Sequence, residues 1–445
     1  MVNSKINQNK TKIAIIGGGI SGLTSAMLLS KKYTVSLYEA NNYLGGHALT
    51  LNEKVLKNNV LSSVKFDVGF LVYNEKNYPI FSSILKKLKV QTLKSDMSFT
   101  VSNKNKGFEY GSTGVLALTN NFKNIFRYSF WKMFFGINKF YKISNMILES
   151  DLFREENASV NKFIKKYNFS DVFINEHFLP MCGAIWSIPL KKVLDMPIIT
   201  VLRFFHNHGL LSFFGRPKWM TINNGSANYV KAMLKKIQGP IYLNEEVFSV
   251  KRSRNSILIK SKNHKKSYDK VIFSIHSDDI LKILKNPSEK EKSILSNCKY
   301  ENNKIYVHQD QNLMPNNKNV WGAWNVITNE KKENKSIFNI KHICVTYWIN
   351  KLQKIESDAP ILVTLNPNKE NMPNKKKTIK VLNFRHPIFD KYSINVLDNI
   401  NSVQGYKNTY YTGAWLGYGF HEDGARSGAN LVNILNKEKK IYGSL

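Results

Sequence analysis

The stretch that most constrains this chain runs from Lys12 to Glu39. Ile13 to Ile16 is an apolar, β-branched run without polar alternation, the pattern of a parallel strand buried on both faces. Gly17, Gly19 and Gly22 come next in the spacing G-x-G-x-x-G. The first glycine permits a tight turn, the second lets backbone approach a pyrophosphate, and the third lets a helix lie close to the strand. A helix opening at Ile20 and Ser21 aims free N–H groups and its positive dipole end at the phosphates. Val35 to Tyr38 reads as the next strand, with Glu39 at its end and Ala40 behind it. A carboxylate there accepts hydrogen bonds from ribose hydroxyls and repels a 2′-phosphate, which disfavours NADP. A lone glycine motif says little. Here strand, turn, helix, second strand and acid stand in register.

The residues beyond Glu39 bear on the choice between NAD and FAD. Gly45-Gly46-His47 comes shortly after the ribose acid, as in FAD-binding folds of the glutathione-reductase type, where backbone must again approach the cofactor. Asp67-Val68-Gly69-Phe70 is then expected beside the flavin. Near the other end, Tyr410 to Gly413-Ala414 reads as a strand running into a glycine. Gly419 to Val432 reads as a turn opening a helix, with His421, Glu422, Asp423 and Gly424 holding the flavin or its turn. A helix start aimed at the pyrimidine edge favours the negative charge of reduced flavin.

These residues resemble the flavin-containing amine oxidase and phytoene desaturase superfamily. Within it the chain is similar to a bacterial group associated with cyclopropane-fatty-acid-synthase-like methyltransferases, and to the N-terminal part of plant cyclopropane fatty acid synthases. The strings that carry this include Leu44 to His47, Asp67 to Phe70, Asp96 to Phe99, Ala184 to Ser187, Phe204 to Leu211, Pro217 to Trp219, His308 to Asp310, Trp321 to Asn325, His386-Pro387 and Gly419 to Asp423. Amine oxidases carry Arg after the second Gly-Gly; here His47 stands there, which moves the resemblance toward the fatty-acid group. Asn223-Asn224-Gly225-Ser226 replaces a Gly-Gly-Ser turn, and Asn tolerates the left-handed geometry required. The resemblance implies a backbone contact to adenine at Val247.

The expected fold is α/β: a glutathione-reductase-type Rossmann FAD domain, amine oxidase-like, with an inserted α+β substrate domain. The FAD domain is assigned to 1–75, 216–290 and 396–445, and the substrate domain to 76–215 and 291–395. The first insert reads as mainly helical. The middle FAD piece reads as a helix over Ala227 to Ile237, then a strand over Ile241 to Val247. The resemblance implies an FAD-dependent oxidoreductase that desaturates or isomerises unsaturated acyl chains of membrane lipids. A base assists such chemistry and His is suited to it; His386 is the first candidate, then His208 and Asp310. Two alternatives stand: a flavin amine oxidase, with Tyr411 and Trp415 as its aromatic pair, and a non-catalytic FAD-bound partner of a lipid methyltransferase.

Charge bears on partners. The chain has 65 Lys and Arg against 32 Asp and Glu, a net charge of +33. Abundant Lys, Asn and Ile together account for much of that excess, yet a positive surface attracts anions whatever its origin. No nucleic-acid motif accompanies it; an anionic membrane fits better. From Phe122 to Ile147 the residues Phe122, Phe126, Phe130, Met133, Ile137 and Phe140 share one helical face, with Arg127, Lys132, Lys139 and Lys142 off it. That pattern suits a helix lying in a lipid interface, and equally one facing a core. Cys182, Cys298 and Cys344 are far apart and suggest neither a disulfide framework nor a metal site. With a polar N-terminus and no apolar run of ~20 residues, a cytoplasmic protein touching the inner membrane face is expected.

Overall fold

The strand Lys12–Ile16 lies at the centre of a five-stranded sheet. Its neighbours are Thr34–Tyr38 and then Ile241–Tyr242 on one side, Lys270–Phe273 and then Thr409–Tyr411 on the other, all parallel. Ile13, Ile15, Val35, Leu37, Val271 and Ile272 are all but fully buried, so apolar side chains cover both faces, as a parallel sheet needs. The computed structural model describes residues 10–150, 158–186, 190–212, 215–330, 340–388 and 390–442.

Helix Ile20–Leu29 starts directly after the glycine turn and packs against the long helix His421–Tyr442. Small residues make the approach close. A Cβ on Gly424 would come within 2.6 Å of Ile20 Cγ2, and one on Gly428 within 2.5 Å of the Ser21 carbonyl oxygen. This contact joins chain segments some four hundred residues apart.

A seven-stranded mixed sheet forms the second layer system. Its order is Thr378–Ile388, Lys299–His308, Leu362–Leu365, Ile340–Trp348, Trp324–Glu330, Phe99–Asn103 and Phe108–Gly111. Pro387 sits in the edge strand Thr378–Ile388, where its missing N–H costs no interior ladder bond. Helices from Tyr128–Glu149 to Ile198–Asn207 pack on this sheet and share its largest apolar core, rich in Phe130, Phe140, Phe163, Phe173, Phe178 and Phe205.

The first insert is mainly helical, as expected, and also gives the large sheet two strands, Phe99–Asn103 and Phe108–Gly111. Three local expectations are corrected. The strand at Ile241 stops at Tyr242; Asn244 turns with φ 52° and Val247 opens a strand in a separate sheet. The helix from Ala227 ends at Leu234. The aromatic helix begins at Tyr128, so Phe126 precedes it at the end of a short 3-10 segment and Phe122 stands before that segment; they are 89% and 51% exposed. Ser187, Phe213, Phe214 and residues 331–336 lie outside the described residues. Among the described residues, no helix is long and apolar enough to cross a membrane.

Candidate active site

The parallel strands deliver their C-terminal ends to one cavity. Gly17, Glu39, Ser274 and Gly413, each just past a strand of the five-stranded sheet, all line it. This is where open α/β sheets place their ligands. The cavity measures about 1300 Å³, above the ~300–1,000 Å³ of one small-molecule site, which leaves room for a dinucleotide and a substrate together.

The glycine turn is built as a cradle. A Cβ on Gly22 would lie 1.9 Å from the Gly17 carbonyl oxygen, so only glycine lets the helix sit there. Gly19 differs: a Cβ there would meet nothing within 4 Å, and it would project into the cavity that Gly19 lines. Open space beside a helix start is what a pyrophosphate requires. Glu39 lines the same end, buried; its Oε2 accepts the Gly18 N–H at 2.8 Å and its Oε1 accepts from Asn41. The second Gly-Gly meets the first motif directly. The Gly45 N–H donates to the Gly18 carbonyl at 2.8 Å, and a Cβ on Gly46 would come 3.3 Å from Gly19 Cα. The phosphate cradle, ribose acid and cavity volume fit FAD.

Of the residues expected at the cofactor, Gly17, Gly19, Ile20, Ser21, Glu39, Ala40, Gly45, Gly46, His47, Gly69, Phe70, Gly413, Ala414 and His421 line the cavity. Gly22, Val247, Glu422, Asp423 and Gly424 do not. Val247 starts its separate sheet. Gly22 and Gly424 serve helix packing. Glu422 accepts the N–H groups of Ile80 and Phe81, both at 2.9 Å, and so satisfies the first turn of helix Pro79–Lys87. Asp423 accepts from the Tyr418 and Phe420 N–H groups and pairs with Arg426, holding the turn before its helix. Asp67, fully buried, accepts from Thr50, the Ser226 N–H and the Ser226 hydroxyl. It ties the hairpin Thr50–Asp67 to helix Ala227–Leu234, and burial raises its carboxyl to about 6.

The catalytic candidates separate. Asp310 is away from the cavity: it caps the turn Gln311–Leu313, accepts the Asn374 N–H at 2.9 Å and lies 3.6 Å from Lys377. It is a loop anchor. His386 and His208 both line the cavity, but their free nitrogens differ. The Lys304 N–H donates to Asn366 Oδ1 at 2.8 Å, Asn366 Nδ2 donates to Asn303 Oδ1 at 2.5 Å, and Asn303 Nδ2 donates to His386 Nδ1 at 2.6 Å. A backbone donor thus orients two amides in turn and makes His386 Nδ1 an acceptor. The proton of the neutral ring is on Nε2. His208 is the reverse. Its Nδ1 donates to the Phe204 carbonyl at 2.8 Å, leaving a lone pair on Nε2. Burial lowers both to about 4. His386, the first candidate base from sequence, presents N–H; His208 presents the basic nitrogen.

His47 and His421 complete a histidine-rich wall. His47 Nε2 donates to the Arg385 carbonyl at 3.1 Å, and its ring lies 5.1 Å from that of His386. Burial holds it well below its ordinary value, with His386 adding to the shift. His421 stacks on Phe70 at 3.9 Å, contacts the Tyr229 hydroxyl at 2.7 Å, and is lowered by burial to about 3. Sequence reading missed Asn303 and Asn366, because strand register makes their contact to His386.

Beyond the cofactor end the wall is apolar and aromatic: Met181, Trp186, Phe204, Trp219, Trp324, Tyr347 and Phe384 line it. The carboxylates among the described lining residues are Glu39, Asp96 and Asp279. Each is engaged, Asp96 by the Ser98 N–H and Asp279 by Arg385 and Lys282. The aromatic pair considered for an amine substrate is not formed. Tyr411 is buried away from the cavity with its hydroxyl donating to Glu291, while Trp415 lines the cavity and donates to the Ile275 carbonyl. Tyr411 belongs to the sheet, and alternation along its strand turns it into a separate apolar core.

The family model for flavin-containing amine oxidoreductases matches residues 20–354. Similar folds include a CLA-producing fatty acid isomerase from P. acnes, 12% identical with TM-score 0.61, covering 96% of this chain and 99% of that one. Putrescine oxidase, solved bound to putrescine, is 12% identical with TM-score 0.63 and the same coverages, 96% and 99%. Cyclohexylamine oxidase from Brevibacterium oxydans is 11% identical with TM-score 0.66, over 97% and 100% of the two chains. Among curated proteins no sequence relative is found. At such identities the structural likeness speaks for the fold alone.

Proposed function

The chain belongs to the flavin-containing amine oxidoreductases and is an FAD-dependent oxidoreductase, and from that premise we propose that its substrate is an unsaturated acyl chain of a membrane lipid, which it desaturates or isomerises. The observation that carries the reading is the composition of the substrate end of the cavity: aromatic and aliphatic walls, with every lining carboxylate already bonded to protein. A long apolar chain is stabilised by such a surface. A small cationic amine finds no unengaged carboxylate among the described lining residues. The fatty acid isomerase among the similar folds supports the same reading, as do the strings shared with the methyltransferase-associated group.

FAD, when bound, supplies a two-electron acceptor and donor for hydride. The chain's own residues do the rest. The cavity wall holds the acyl chain and excludes water. His208 Nε2, with its lone pair free, accepts the proton that leaves a neighbouring carbon when a new double bond forms. His386, fixed as an N–H donor by Asn303, keeps the wall polar without competing for that proton. Where a double bond only moves, no proton leaves and His208 has no part.

The test is anaerobic mixing of the flavoprotein with vesicles containing monounsaturated phospholipid, with absorbance and lipid analysis as readouts. A new or moved double bond, with bleaching of oxidised flavin for net desaturation, is expected. Unchanged lipid together with hydrogen peroxide release from amines in air would replace the reading with an amine oxidase.

A further inference from the structure

Helix Tyr128–Glu149 has two apolar faces, and only one of them is used by the core. Phe130, Met133, Ile137 and Phe140 are buried in the largest apolar cluster. That accounts for an ordinary core-facing helix. The other face and the segment leading to it are apolar as well, and open to solvent: Leu116, Phe122, Phe126, Tyr128, Trp131 and Phe135 are 53, 51, 89, 81, 40 and 65% exposed. Of the nineteen exposed large hydrophobic side chains among the described residues, nine fall within residues 115–146. Single exposed hydrophobics are normal on a monomer; a concentration of this kind marks a docking surface. The side chains hold a definite arrangement. The Trp131 indole donates to the Ile125 carbonyl at 2.8 Å, and its ring lies 6.3 Å from Phe135.

We propose that this face docks on an anionic bilayer surface. Charge selects that occupant. Between Gly111 and Leu148 the sequence holds five cations, Lys123, Arg127, Lys132, Lys139 and Lys142, and no carboxylate. Trp, Tyr and Phe beside Lys on an amphipathic element match the headgroup boundary, where aromatic bodies enter the acyl region and ammonium groups meet lipid phosphates. The face also leads to the cavity. Ser112 and Thr113, directly before the exposed Val115 and Leu116, line it. The docked face therefore adjoins the cavity wall.

The experiment is co-sedimentation of the full-length holoenzyme with vesicles of phosphatidylglycerol and phosphatidylcholine, against phosphatidylcholine alone, at ~0.1 M salt, where the Debye length is ~10 Å. Binding is read without turnover, so its failure is distinct from failure of the acyl-substrate reading. Binding at least tenfold tighter to the anionic vesicles is expected. The variant F126S/Y128S/F135S should lose at least tenfold with its flavin spectrum and melting temperature retained. The variant K123E/K132E, which changes only exposed side chains, should lose the anionic preference and decides the matter should the first variant misfold. Absence of anionic preference, or variants that bind like the parent, overturns the proposal. So does a dimer in sedimentation equilibrium that the apolar variant dissolves, which would make this face a contact between copies of the chain.

Discussion

Glu39 is where residue chemistry is most local, and its removal is the sharpest test of the cofactor end. Its two oxygens are already organised by Gly18 and Asn41, so a ribose meets a preset acceptor. Each charge-assisted hydrogen bond is worth about 1.5–3 kcal/mol. Glu39→Ala should weaken FAD by about 3 kcal/mol, roughly a hundredfold in Kd, read by flavin retained after dilution; unchanged retention would remove Glu39 from the ribose. Glu39 is legible in sequence because strand, turn, helix and strand are consecutive, which brings it back to the glycine turn 21 positions earlier. The histidine tautomers are not equally legible. His208 takes its proton position from Phe204, one helical turn back at the end of helix Ile198–Asn207, where carbonyls lack intrahelical donors; that spacing is local to the sequence. His386 takes its own from Asn303, 83 positions away, which no spacing announces. His208→Phe keeps the stack on Phe204 and Trp219 while removing the lone pair. If the enzyme desaturates, kcat should fall by about 10²–10⁴ with KM nearly unchanged. A variant that still moves double bonds at the parental rate would assign the chemistry to isomerisation without proton loss.

Among the elements, the sequence marked the buried strand Lys12–Ile16 and the two glycine-rich helix starts correctly, since period and punctuation agree there. It misplaced elements whose limits are set by partners. Ile241 to Val247 begins and ends on apolar residues and reads as one strand, yet the five-stranded sheet accepts only Ile241–Tyr242 before Asn244 turns the chain away. The aromatic run from Phe122 has helical spacing throughout, but Phe122 stands at φ 69° and the helix starts at Tyr128. The pairing of helices Ile20–Leu29 and His421–Tyr442 is an element-scale feature with a direct test. At Gly428 the obstructing atom would be the Ser21 backbone oxygen at 2.5 Å, which cannot rotate aside. Gly428→Leu should therefore push the helices apart at a cost of at least ~1–3 kcal/mol and release FAD, because Ser21 also lines the cavity. Thermal melting with and without added FAD measures both effects; an unchanged melting temperature would show that the helices can separate freely.

At the scale of the whole molecule, chain segments around 12–38, 241–273 and 409–411 assemble one sheet, and the cavity at their joint ends is closed by the larger mixed sheet. The order of motifs made the discontinuous plan readable. The enclosure of histidines in it was not readable, and it has a consequence for pH. His208, His308 and His386 are lowered to about 4, and His177 and His421 to about 3, with burial the first cause in each. His47 is also well below the ordinary 6.5, again chiefly through burial. The unfolded chain therefore binds more protons than the folded one below about pH 6.5, so stability falls as pH drops from there toward about 4. Each such group contributes up to ~1.4 kcal/mol per pH unit in that window. Asp67 acts in the opposite sense: raised to about 6 by burial, it holds its proton in the folded state and gains stability as pH falls from about 6 toward 3.8. Glu422 and Asp423, also raised chiefly by burial, act with it, and three carboxyls do not cancel six histidines. Melting temperature should fall steeply between pH 6.5 and 5, and FAD should dissociate over the same range, because His47, His208, His386 and His421 line its cavity. His386→Asn should reduce the slope by about one proton's share, whereas a melting temperature that holds level or rises from pH 7 to 5 would show that these rings stay accessible to protons in the folded protein.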